Sequence, residues 1–331
     1  MRYRIFNRVQ LDCVVRASPG FPADTTPPGA PQWLRHGARS AIAAPEMSIA
    51  LQHGPTGEVT LELTPGQSVA ERQHLAVRDL RDAGALWRLG WTLALLDIRL
   101  RYRGSMLGPF WLTLSTGLMV AAMGLIYSTL FRMGLHEYLP FLTVSLVLWG
   151  FVGTLVSDGC YGYTTSERMI RSVRMPFSLY AGRIVLRNLL VLAHNTLVII
   201  AVDLFVWSGP GADIVLAIPA LAVWIVDALA VTMMLGALCA RFRDIPPIVA
   251  SVMQMAFFVT PVIWKPQLVG VHQWLLPFNP FFSLLEIVRG PLLGEIPGAA
   301  VYLSAFGYSV LLCAAAWLLF ARVRGRIAFW V

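Results

Sequence analysis

The sequence predicts an all-α integral membrane protein. It has six transmembrane helices, an N-terminal amphipathic interfacial helix, and short re-entrant helices between spans five and six. Three observations predict this class. Of 331 residues, 57% are hydrophobic and 13% charged, where a soluble domain carries roughly 25%. Apolar runs recur at the ~17–25 residues needed to cross a ~30 Å hydrocarbon core. Arginines gather at alternate ends of those runs, the pattern of a chain whose basic loops stay in the cytoplasm.

Residues 1–75 form an extension rich in Pro, Gly, Thr and Ala. They read as disordered, because 17–31 holds too little apolar surface to bury a core. A true start at Met47 is an equal alternative. Residues 60–64 alternate weakly and suggest a short strand. Basic residues 1–10 are followed by no apolar core, so no cleavable signal peptide is expected.

Residues 76–104 turn helical. Leu86, Leu89, Leu93 and Leu96 recur at three- and four-residue steps beside Trp87 and Trp91, with Arg81, Asp82, Arg88, Asp97 and Arg99 at the polar positions. An amphipathic helix with tryptophans suits the headgroup layer. Arg99, Arg101 and Arg103 immediately precede the first apolar run, and Gly104, Gly108 and Pro109 let the chain turn into the membrane there.

The six spans are 107–131, 138–156, 184–207, 214–240, 248–264 and 301–321, within a membrane domain of 105–325 that ends in a tail, 326–331. The fifth is the shortest and contains Pro261, so it does not finish as a straight helix. From Arg81 onward, the segments on the side of the interfacial helix carry fifteen arginines and the other side carries three basic residues, Arg132, Lys265 and Arg289. Both termini are therefore expected in the cytoplasm. The third outer connection, 265–300, is apolar but broken by Pro266, Pro277, Pro280, Gly290 and Pro291. It reads as one or two short helices that dip back into the outer leaflet under a cover of protein.

Composition also excludes function classes. The net charge of +8 belongs to the span ends and not to a nucleic-acid surface. Lys265 is the only lysine and sits in Trp-Lys-Pro, so the chain lacks the Gly-Lys-Ser/Thr of a phosphate-binding loop. Cys13, Cys160, Cys239 and Cys313 have no metal spacing and read as small core residues.

The connection after span two is expected to hold a short helix outside the membrane, capped by Thr164, Thr165 or Ser166 and stopped by Pro176. Met169, Ile170 and Val173 form its apolar stripe and Arg168, Arg171 and Arg174 its basic faces. This pattern suits docking into a partner's groove, or an ordinary basic loop. Among charges inside the spans, Asp227 is expected to pair with His194 or Asn195 as inter-helix glue. Aromatics thread the spans; a subset lining a conduit offers flat apolar faces to sugar rings.

Several ordered motifs resemble one family. The segment Asp97-Ile-Arg-Leu-Arg-Tyr-Arg-Gly-Ser-Met-Leu-Gly-Pro-Phe-Trp111 resembles the start of type-2 ABC exporter permeases. The stretch 170–195, with Arg-Met-Pro-Phe-Ser-Leu-Tyr and Ala-His-Asn, is similar to their O-antigen and capsule branch. So are Arg241-Phe-Arg-Asp-Ile, Phe258-Val-Thr-Pro-Val-Ile-Trp-Lys-Pro and Asn279-Pro-Phe-Phe-Ser-Leu-Leu-Glu-Ile-Val-Arg-Gly-Pro. The match runs from about Asp79 to the C-terminus, and residues 1–75 depart from it.

The resemblance implies a half-channel without catalytic or metal-binding residues, in the bacterial inner membrane. Two copies would associate, and two separate ATPase subunits would bind ATP and Mg from the cytoplasm. The cargo would be a polysaccharide on undecaprenyl diphosphate. Glu167, Arg168, Met169, Ile170, Arg171, Val173 and Arg174 would couple to the ATPase, with Arg241, Arg243 and Asp244 as a second contact. Arg99, Arg101 and Arg103 are candidates to receive the lipid diphosphate, because guanidinium forks suit phosphate oxygens; headgroup anchoring is an equal reading. Trp111, Tyr127, Trp149, Phe257, Phe258 and Trp264 are the conduit candidates. The alternatives are a permease for drugs or another lipid, and a membrane enzyme acting on polyprenyl-linked sugars. The enzyme would need acids or histidines clustered at one membrane face, and here they are scattered.

Overall fold

The computed structural model describes residues 47–53, 59–65, 68–108, 110–206 and 212–331. The expectations for residues 1–46 and for Trp207 lie outside these. The chain divides into two units, 1–71 and 72–331. In the first, β1 (Met47–His53) pairs antiparallel with β2 (Val59–Pro65), Met47 opposite Pro65 and His53 opposite Val59. The alternating residues 60–64 fall within β2.

From Val69 onward every described element is a helix. The segment expected to be one interfacial helix is two helices: α1 (Val69–Ala85) and α2 (Trp87–Arg101), joined at Leu86. The leucine stripe is not the face that packs. Gly90, Ala94 and Ile98, four residues apart, are buried, while Leu86, Leu89 and Leu96 stay exposed with Trp87 and Trp91. Small residues win this face because a side chain at Gly90 would meet Leu179 at 3.3 Å. After α2, Gly104 (φ 87°) and Gly108 (φ 54°) take the left-handed backbone that the sharp turn into the next helix needs.

Among the described residues, five helices are long and apolar enough to cross a membrane. They are α3 (Phe110–Leu130), α4 (Leu135–Cys160), α6 (Phe177–Val206), α7 (Ala217–Arg241) and α10 (Ala299–Val323). The short α5 (Glu167–Ser172) lies between α4 and α6. The expected fifth span, 248–264, is a 15-residue helix, α8 (Ile245–Val259). At ~1.5 Å per residue it is about 22 Å long, short of the ~30 Å core. Pro261 explains the early stop: it cannot donate to the helix and its ring crowds the preceding turn. Helix α4 is the centre of the bundle, buried on all sides from Tyr138 to Leu148. Its Phe151 stacks on Trp224 of α7 at 5.6 Å, and the Trp224 indole N–H donates to the Leu284 carbonyl at 2.7 Å.

The connection after α8 is two runs of 3-10 helix broken at Gly270 (Pro266–Phe278), then α9 (Pro280–Leu292). Polar bonds fasten it to the bundle. Asn279 caps α9 by accepting from the Phe281 and Phe282 N–H groups, and its own amide donates to Thr260 Oγ1 at 3.0 Å. The Tyr138 hydroxyl donates to the Ile263 carbonyl at 2.6 Å. Arg289, 1% exposed, donates to Ser145 Oγ at 2.9 Å, to the Pro261 carbonyl at 2.5 Å and to Glu286. Its guanidinium also lies 4.6 Å from the Phe141 ring centre. Beside it, a methyl group on Gly290 would sit 2.7 Å from the Glu295 carbonyl and 2.8 Å from Pro297. These neighbours are rigid backbone and ring. Gly290→Ala is therefore expected to lower stability by about 1–3 kcal/mol, measured as a lower melting midpoint in detergent.

At the opposite end, four separate segments meet. Asp79 of α1, 1% exposed, accepts from the Phe177 and Ser178 N–H groups at 3.1 and 2.9 Å, so it caps α6 from another helix. It also accepts from the Ser178 hydroxyl at 2.6 Å and from Arg324 Nε at 2.8 Å, just past α10. The Trp317 indole donates to Gln73 at 2.6 Å. The last helix, α11 (Ile327–Trp330), contributes Ile327 to a core shared with Tyr163, Tyr180 and Phe320. Burial pushes the Tyr163 phenol up, and the nearby Asp79 charge adds to it. Helix α1, α5 and the C-terminal residues thus sit at one end of the bundle.

Candidate functional site

A groove of about 570 Å³ opens along α4 and α8. From α4 it takes Trp149, Gly153, Thr154, Ser157 and Asp158, and from α8 Ala250, Met253, Gln254, Phe257 and Phe258. These are helical repeats of three and four, one face of each helix. Arg101 of α2 closes its mouth. Trp149 stands between two rings, Phe257 at 5.8 Å and Phe281 at 5.6 Å, which fixes its plane.

The structure therefore brings together four sequence candidates, Arg101, Trp149, Phe257 and Phe258. It does not bring the other aromatics here. Trp111 is exposed on α3, Tyr127 stacks on Phe131 at 5.7 Å, and the Trp264 indole donates to the Phe258 carbonyl at 3.2 Å. Arg99 and Arg103 are exposed on either side of Arg101 but do not line the groove. Sequence reading missed Thr154, Ser157 and Gln254. Their spacing from Trp149 and Phe257 was the available signal.

An ion-pair ladder leads to the mouth. Arg183 of α6 holds both carboxylate oxygens of Asp97. Arg187 lies 3.5 Å from Asp97 and 2.6 Å from Asp158. The Asn188 amide donates to the same Asp158 oxygen at 3.0 Å. The last rung is the loosest: Arg101, its side chain 48% exposed, is 3.7 Å from the other Asp158 oxygen. The ladder links α2, α4 and α6 at the end of the groove.

The expected docking helix is present as α5, with a different face outward. No side chain caps it; the Thr164 and Thr165 hydroxyls turn back to the Tyr161 carbonyl at 3.0 and 2.8 Å. Met169 and Ile170 pack inward against the core around Tyr163 and Ile327, leaving Val173 as the exposed apolar residue. Arg168 and Arg174 are exposed. Glu167 and Arg171 pair with each other at 2.9 Å, and Arg171 also donates to the Val331 carbonyl at 2.5 Å. Arg241 lies 5.5 and 5.8 Å from the Phe242 and Trp330 rings. Arg243 and Asp244 are exposed before α8.

The buried acid Asp227 is not paired with His194 or Asn195. It accepts from Ser309 Oγ at 2.7 Å on α10, with Cys313 Sγ at 3.8 Å. The expected partners fail because His194 is exposed and bonds its own helix at the Leu190 carbonyl, 2.7 Å away. Among the described residues no group of three His, Cys, Asp or Glu side chains is placed to hold a metal. Cys160 and Cys239 are free and buried together with Val156 and Leu235.

No family model matches the chain. It is 26% identical to an O-antigen export system permease protein RfbA of Myxococcus xanthus over 236 residues, 70% of this chain and 91% of the relative. Two proteins of the same name from Klebsiella pneumoniae are 23% and 21% identical over 193 residues, 57% of this chain and 74% of each. With five helices long and apolar enough to cross a membrane among its described residues, this is a multi-pass membrane protein. Its ordered motifs resemble the ABC permeases of O-antigen export, and the relatives it is similar to are named as permeases of that same export system.

Proposed function

We propose that the chain is the permease subunit of an ABC transporter that exports undecaprenyl-diphosphate-linked polysaccharide, of O-antigen or capsule type, across the inner membrane. It is a conduit and not an enzyme, and a separate ATPase drives it. The observation that carries this reading is the groove itself. An arginine stands at its mouth and an aromatic wall lies behind, an order that suits a diphosphate followed by sugar rings. The names of the three relatives support the same cargo. Permeases for drugs or other lipids remain the second reading; the polar Thr154, Ser157 and Gln254 beside the rings favour sugar over a wholly apolar cargo.

In this reading α8 and the residues after it make the sixth crossing. Support comes from the shared end: Asp79 and Arg324 are bonded to each other, so α1 and the end of α10 lie on one side, which requires an even number of crossings. The arginine bias makes that side cytoplasmic. The segment from Pro266 to Leu292 then dips into the outer leaflet, its backbone covered by α4 and α10. A second copy closes the open side of the groove. The ATPase meets Arg168 on α5 and Val173 and Arg174 just after it, together with Arg241, Arg243 and Asp244. Arg99, Arg101 and Arg103 receive the lipid diphosphate.

The test is the double substitution Arg101→Ala with Arg103→Ala. Surface polysaccharide is expected to fall at least tenfold, with the permease still assembled in the membrane at its normal level. Normal surface polysaccharide in that variant would remove the headgroup role.

A further inference from the structure

Residues 327–331 touch both groups of side chains assigned to the ATPase. The first group lies on α5 and just after it. That helix is six residues long, buries none of them fully and has no side-chain cap. So short a helix does not hold itself in water, and α5 takes its position from what it packs on. Met169 and Ile170 lie against a core that includes Ile327 and Val331. Arg171 donates to the Val331 carbonyl at 2.5 Å and pairs with Glu167 at 2.9 Å. Residues 327–331 are therefore the seat of α5.

The second group is Arg241, Arg243 and Asp244, where α7 ends. The Arg241 guanidinium lies 5.5 Å from the Phe242 ring centre and 5.8 Å from that of Trp330. A cation over an aromatic ring is drawn to its electron-rich face. The same five residues thus hold a side chain of each group. Beneath them, Ile327 and Val331 share a core with Ala237 and Ala240 of α7 and Phe320 of α10. Ile327 is 0% exposed. A partner protein cannot touch it, so any part it has in ATPase binding passes through α5 and the end of α7.

We propose that residues 327–331 are positioning residues for the ATPase, holding α5 and the end of α7 together as one preformed docking surface. This rests on the export reading above and says how its two ATPase contacts act together. Two contacts fixed to one another bind as one. Once loosened, each must be ordered at the moment of binding, and affinity falls by that cost.

The experiment uses the full chain in lipid nanodiscs and measures the dissociation constant of the ATPase subunit of its own export system, with the melting midpoint of each variant alongside. Trp330→Ala and Ile327→Ala are each expected to weaken binding about tenfold. Trp330→Phe keeps a ring for Arg241 and is expected to stay within about twofold of the unsubstituted protein. Leu285→Ala, in the core of α9 at the other end of the bundle, is the control: it is expected to lower the melting midpoint and leave the affinity unchanged. Unchanged affinity in both Trp330→Ala and Ile327→Ala overturns the proposal and leaves the export reading intact. A loss in only one of the two also overturns it, because that residue then acts by itself and not as part of a shared seat. A loss in Leu285→Ala as large as in Ile327→Ala overturns it too, because binding then follows overall stability. No binding to the unsubstituted protein overturns the export reading, and the proposal with it.

Discussion

Asp79→Ala is expected to lower stability by about 3–5 kcal/mol, the loss seen when one partner of a buried, hydrogen-bonded charge is removed. The substitution leaves four donors facing a void: the Phe177 and Ser178 N–H groups, the Ser178 hydroxyl and Arg324. Two of these are the first N–H groups of a 30-residue helix, where a carboxylate also meets the positive end of the helix dipole. The readout is the fraction of protein extracted as a single species in mild detergent, and its melting midpoint. Asp79→Asn keeps an acceptor but no charge, and falls between. Arg324→Met should cost less, on the order of 1–1.5 kcal/mol, because the carboxylate keeps its other three donors. Adding Arg324→Met to Asp79→Ala should not restore stability, since the α6 N–H groups stay unpaired. A mild effect of Asp79→Ala would mean that α1 does not hold the start of α6.

The second large effect is at the other end. Arg289→Ala is expected to cost a similar ~3–5 kcal/mol, because it strands Glu286 beside an apolar wall and frees Ser145 Oγ and the Pro261 carbonyl. In a bilayer, neighbouring helices gain little from apolar contact, because lipid is equally apolar; close packing and polar links hold them. The segment after α8 depends on such links more than any other part, since Pro261 ends the helix that leads into it. Arg289→Lys keeps the charge and loses the fork that reaches Glu286, Ser145 and the Pro261 carbonyl together, so it should recover only part of the loss. Removing both charges, with Arg289→Met and Glu286→Met, should recover more than either single change, because no charge is left alone. Retention of a proteolysis-resistant 265–300 segment in Arg289→Ala would contradict the claim that Arg289 fastens this segment to the bundle.

Some of this was legible in the chain. Five of the six apolar runs became long helices because run length and the scarcity of interior charge decide that alone. Pro261 marked the weak one, and Pro266, Pro277 and Pro280 marked the broken connection after it. Gly104 and Gly108 marked the turn into α3, since both take positive φ. What the pattern left open was the packed face. On α2 the leucines at 86, 89 and 96 are exposed, and Gly90, Ala94 and Ile98 pack. In lipid an apolar stripe points outward as readily as inward, and small residues mark the contact. On α5 the stripe was split, with Met169 and Ile170 inward and Val173 outward, because α11 folds beneath it. Pairings between distant segments, such as Asp79 with Ser178 or Asp227 with Ser309, leave no periodic trace. Of the groove, Arg101 and the aromatics Trp149, Phe257 and Phe258 were singled out from sequence, and Thr154, Ser157 and Gln254 followed only once α4 and α8 were seen to face each other.

Deletion of the gene in its source organism, with surface polysaccharide and cytoplasmic undecaprenyl-linked glycan both measured, tests the central claim most directly. The account predicts that glycan vanishes from the surface and builds up on its lipid inside, and that the intact gene reverses both. Unchanged glycan on both sides of the membrane would contradict it.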